Sequence, residues 1–88
     1  MERYKLVFKK SVAKDLRALP VQDVHRLLKC FEQLAENPRP SGCEKLSGQE
    51  RYRLRQGVYR IVYEIQDKTL KVVVVKVAHR RDVDRMTR

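Results

Sequence analysis

Apolar and polar residues alternate from Tyr4 to Phe8, with Tyr4, Leu6 and Phe8 on one side and Lys5 and Val7 on the other. Period two predicts a short strand. From Ser11 the period lengthens. Val12, Leu16 and Leu19 are spaced by four and three, which predicts a helix that Pro20 stops. Val24, Leu27, Leu28, Phe31, Leu34 and Ala35 continue at three and four, with Asp23, Arg26, Lys29 and Glu32 on the other side. This predicts a second, longer amphipathic helix ending at Asn37 and Pro38.

A segment rich in Pro, Gly and Ser runs from Pro38 to about Gln49 and reads as a loop. Three more strands fit the remainder: Tyr52 to Arg55, Val58 to Ile65, and Leu70 to Val77. Their turns are expected at Gln56-Gly57 and Asp67-Lys68. Two helices joined by almost nothing form a hairpin whose apolar stripes need a sheet to cover. The expected fold is therefore α+β: an N-terminal strand, a helical hairpin, then three antiparallel strands, with the helices packed on one face. Residues 1–88 are expected to form one domain.

A turn at Gln56-Gly57 would set Arg55 opposite Val58, Leu54 opposite Tyr59, and Arg53 opposite Arg60. Opposed residues share a face, and side chains alternate along each strand. Arg53, Arg55 and Arg60 then lie together on one face, with Tyr52, Leu54, Tyr59, Ile61, Tyr63 and Ile65 on the other. Continuing the register through Asp67-Lys68 sets Val75 opposite Arg60 and Val73 opposite Val62, so valines are expected beside the arginines. The tyrosines fall on the core face and read as packing residues.

Composition sharpens this picture. Among 88 residues, 21 Lys and Arg outnumber 11 Asp and Glu, a formal charge of +10, so polyanions are the first partners to consider. The apolar run at Val72 to Val75 is far shorter than the roughly 20 residues of a membrane-spanning helix. MERYKLVFKK lacks the continuous apolar stretch of a secretory signal, so a cytoplasmic location is expected. Cys30 and Cys43 belong to no CxxC and to no Cys/His cluster with ligand spacing; they read as ordinary thiols, and no metal or cofactor is expected.

Three guanidinium groups at cross-strand spacing repel one another, by some tenths of a kcal/mol for a directly opposed pair. A phosphodiester would relieve that repulsion, because planar donors can contact two oxygens at once. Solvated positions on an open sheet face are the plainer alternative. Directly after the last strand, His79, Arg80 and Arg81 fall where strand ends commonly carry site residues. His79 could transfer a proton, since imidazole titrates near neutrality; a local structural role is its other reading. His25 reads as a surface or boundary residue of the second helix.

YRLRQGVYRIVYEI, a Val-rich strand and AHRRDVDR together resemble the RelE branch of the RelE/ParE toxin superfamily, as do KKSVAKDLRALP, ENPRP and EKLSG. The resemblance spans nearly the whole chain. It implies a toxin that cuts mRNA in the ribosomal A site without a metal, and that forms a hetero-oligomer with a cognate acidic antitoxin. The implied chemistry is attack of the ribose 2′-OH on the adjacent phosphate, leaving a 2′,3′-cyclic phosphate. By this resemblance Arg60 stabilises transition-state charge, Arg80 serves the leaving 5′ oxygen, and Arg53 and Arg55 hold the attacked phosphate, with Arg81 a further phosphate contact. Some relatives carry lysines at the positions of Arg53 and Arg55, and those with a GHRRDVYR-like ending carry a tyrosine where Asp84 stands here; His79 and Asp84 are the candidates for proton transfer. A ParE-like inhibitor of DNA gyrase, and a relative that only binds RNA or its antitoxin, are the alternatives on the same fold.

Overall fold

The computed structural model describes residues 3–46 and 50–79. Its elements run β1 (Lys5–Phe8), α1 (Lys10–Arg17), α2 (Val21–Glu36), β2 (Glu44–Lys45), β3 (Arg51–Gln56), β4 (Tyr59–Gln66) and β5 (Lys71–His79). The five strands form one sheet in the order β1-β5-β4-β3-β2. β1 lies parallel to β5, and the other pairings are antiparallel.

Both helices fall where the three-and-four spacing predicts them, and Pro20 sits at the junction. Its fixed φ and missing N–H suit the start of α2, so that helix begins at Val21. Leu27, Phe31 and Leu34 of α2 are buried with Val12 of α1 against Tyr52, Ile61, Tyr63, Val72 and Val74 of the sheet. Tyr63 is fully buried and donates its hydroxyl to the Pro38 carbonyl at 2.7 Å, which satisfies the one polar atom that its ring carries into the core. Leu28, which the apolar spacing includes, stays 44% exposed. Neighbouring Leu27 takes the core-facing direction instead.

The loop reading of residues 38–49 needs correction. Glu44 and Lys45 form a two-residue strand opposite Arg53 and Tyr52. Too few residues are paired there for any periodicity to show.

The turn between β3 and β4 also moves by one position. Gln56 pairs with Tyr59, leaving Gly57-Val58 as the turn, because the positive φ of 60° falls at Gly57 in the first central position, as in a type II′ turn. Arg55 therefore faces Arg60, and Arg53 faces Val62. The register slides by two residues, so the faces are those expected: Arg53, Arg55 and Arg60 on one side, Tyr52, Leu54, Tyr59, Ile61 and Tyr63 on the other.

Across β4 and β5 the register differs more. The connection is the four-residue loop Asp67 to Leu70, closed by Gln66 opposite Lys71, and a bulge interrupts the ladder between Val62 and Tyr63. The extra residue on β5 is Val75. Val73 keeps the arginine face, opposite Glu64, but Arg60 faces Ala78 and Val62 faces Lys76. The expected pairings Val75 with Arg60 and Val73 with Val62 are thus replaced. A bulge adds one residue to one strand and reverses the alternation beyond it. Among the described residues, no helix is long and apolar enough to cross a membrane.

Candidate phosphate-binding site

β2 is shorter than its neighbour. It pairs with β3 only at Tyr52 and Arg53, and the chain before Glu44 turns through Gly42, whose φ of 94° is open to glycine and strained for side-chain-bearing residues. The corner between this turn and β3 and β4 holds a cavity of about 340 Å³, lined by Ser41, Gly42, Glu44, Arg53, Leu54, Arg55 and Arg60. Three of the expected site residues therefore meet in one place.

Arg60 is the unusual member. It is 8% exposed, and its Nε and Nη1 atoms are buried without a hydrogen-bond partner among the described residues. Leaving guanidinium donors desolvated and unpaired is costly, so such a group calls for an explanation. Arg55, its directly opposed neighbour, is exposed and brings a second positive charge to the same cavity. Further along this face the charges are compensated. Arg51 pairs with Glu64 at 3.0 Å, and Lys76 reaches Asp15 of α1 at 3.1 Å.

The sequence reading missed Glu44. Its carboxylate accepts from Arg53 Nη2 at 2.8 Å within the cavity wall. The hydrogen bond from Arg53, the charge of Arg53, and then the charges of Arg55 and Arg60 hold its carboxyl below the usual range, so it stays ionised. The available signal was slight: an acid in EKLSG, within a loop that shows no register before the fold is known.

His79 is placed elsewhere. It lies opposite Tyr59 on the helix-facing side, their rings edge to face at 6.3 Å, whereas Arg60 points to the other side opposite Ala78. Tyr59 in turn donates to Asp23 at 2.7 Å. His25 is exposed on α2, and Tyr52 and Tyr63 are packed in the core, as read. Arg80, Arg81 and Asp84 lie outside the described residues. Among the described residues, no group of three His, Cys, Asp or Glu side chains could hold a metal ion.

Comparisons with known proteins bear on the fold and the family. The family model of the ParE toxin of the type II toxin-antitoxin system parDE matches residues 6–84. Among solved structures, the toxin of an archaeal RelE-RelB complex from Pyrococcus horikoshii is 30% identical with a TM-score of 0.81, over 91% of this chain and 97% of that one. A chain of the RelBE2 toxin-antitoxin complex from Mycobacterium tuberculosis is 26% identical with a TM-score of 0.78, over 88% and 98%. One from the intact RelBE complex of E. coli is 28% identical with a TM-score of 0.75, over 86% and 95%. No curated protein matches the sequence.

Proposed function

Since this chain belongs to the RelE/ParE superfamily and is a toxin of the type II toxin-antitoxin kind, we propose that it acts as a metal-independent endoribonuclease on mRNA in the ribosomal A site. The observation that carries this reading is the buried Arg60, two of whose guanidinium nitrogens have no partner among the described residues, lining a cavity that Arg53 and Arg55 share. A group of this kind meets a phosphodiester oxygen at no further desolvation cost to itself, and it gains strength where water is excluded.

In the reaction the ribose 2′ oxygen bonds to phosphorus as the bond from phosphorus to the 5′ oxygen breaks. The products are a 2′,3′-cyclic phosphate and a 5′-OH. Negative charge builds on the non-bridging oxygens in the transition state, where Arg60 and Arg55 are preorganised to meet it. Arginine already carries its proton at neutral pH and does not accept another. Among the described cavity residues Glu44 is the carboxylate, and we assign it the role of accepting the 2′-OH proton. By resemblance, Arg80 assists the departing 5′ oxygen. The partners are a cognate acidic antitoxin, suited to a chain of charge +10, and the translating ribosome in the cytoplasm.

Inhibition of DNA gyrase is the second reading, favoured by the ParE model that covers residues 6–84. Induction in growing cells, followed by mapping of mRNA 5′ ends, separates the two. Cuts within translated codons, lost in Arg60→Ala, are the expected result. Growth arrest with intact mRNA and blocked supercoiling by gyrase in vitro would replace the nuclease reading with the second.

A further inference from the structure

The cavity that receives phosphate already contains an anion of the protein's own. Glu44 and Arg53 are directly opposed on β2 and β3, and their side chains meet at 2.8 Å. Both line the same wall as Arg55 and Arg60. On a face where Arg55 and Arg60 are opposed like charges, a resident carboxylate lowers the repulsion that holding the cluster together would otherwise cost. It also occupies a guanidinium edge suited to a phosphate oxygen. Its side chain is 63% exposed, so the pair can part without a buried rearrangement.

We infer that Glu44 is a built-in phosphate surrogate: it holds Arg53 until the substrate arrives, then yields that arginine to the phosphodiester. The inference rests on the phosphate-binding reading of the same cavity. Exchange of one oxygen anion for another keeps the arginine paired throughout. It also releases the carboxylate from the donor that most strongly suppresses its basicity, at the moment when the 2′-OH lies nearby. Affinity and proton acceptance are therefore set against each other by one residue. Glu44 weakens phosphate binding and serves the chemical step.

The test measures binding apart from cleavage, with inorganic phosphate and with a uniformly 2′-O-methylated oligoribonucleotide that cannot be cut. Glu44→Gln is expected to bind both about two- to fivefold more tightly at low salt, the range for release from an exposed ion pair. On cleavable RNA it should show a lower KM and a lower kcat together. Glu32→Gln, which changes net charge equally on the exposed side of α2, should leave phosphate affinity unchanged. In an Arg53→Gln background, Glu44→Gln should lose most of its effect. That cycle also carries the test if the single variant is less stable.

Equal phosphate affinity for wild type and Glu44→Gln, or the same gain with Glu32→Gln or in the Arg53→Gln background, would overturn the surrogate role. Failure of the parent reading looks different. If wild type leaves mRNA intact while Glu44→Gln still binds inorganic phosphate more tightly, the surrogate stands and the nuclease falls.

Discussion

Two arginines at different corners of the sheet are treated in opposite ways. Arg39, in the loop after α2, is 44% exposed, yet it makes two hydrogen bonds to Asp67, at 2.9 and 3.2 Å, and donates Nε to Tyr52 Oη at 3.3 Å. Its guanidinium carbon also stands 5.4 Å from the centre of the Tyr52 ring. Arg60 is buried and has two nitrogens without a partner among the described residues. Water could have satisfied Arg39 in any case, so its bonds join the β4-β5 loop, where Tyr4 also donates to Asp67, to the loop after α2. Arg60 has given up water and received little in return from the described residues. One corner is tied within the chain, and the proposed function gives the other an anion from outside.

The largest expected effect comes from Arg60→Met, which keeps the buried stem and deletes the charge. Cleavage should fall by about a hundredfold or more, the scale for losing one preorganised donor to a developing oxyanion. Stability should rise, by about 1 kcal/mol, because an unpaired buried charge is removed. Single-turnover cleavage and urea denaturation check the two halves, and a variant that loses both activity and stability would erase the contrast between the corners.

Arg39→Ala should act the other way, lowering stability by about 1 kcal/mol after discounting for exposure, with cleavage unchanged. Asp67→Asn sharpens the same corner through pH. The hydrogen bond from Arg39, then that from Tyr4, lower the Asp67 pKa from its ordinary 3.8. Its stabilisation is therefore complete above 3.8 and is lost as pH falls through the depressed value. Wild type should exceed Asp67→Asn in denaturation midpoint at neutral pH, and the gap should close in acid.

How the two corners were legible in the sequence differs as well. Arg53, Arg55 and Arg60 could be placed on one face because alternation has period two and the true turn, shifted by one position, slid the register by two. The β5 bulge could not be read: Val72 to Val75 is a run of four valines with no polar residue to mark its phase. Glu44 was hidden for a related reason, since two paired residues carry no period. Arg39 lay in a segment read only as loop. Its partners are 13 and 28 residues away, and nothing local announces them. Arg80, the remaining expected catalytic residue, rests on the resemblance.

The parallel pairing of β1 with β5 has a consequence for the order of synthesis. Lys5 to Phe8 meet Lys71 to Val74, so the first strand made waits for the last, while the cavity lining lies within residues 41–60. Closing so long a loop is entropically costly, and contacts this distant in sequence slow folding. On the ribosome, the arginine hairpin emerges while β5, the strand that joins it to β1, is still missing. The finished arginine face waits for that strand: until Val74 has left the ribosome, the nascent protein has its arginines but no complete sheet to hold them.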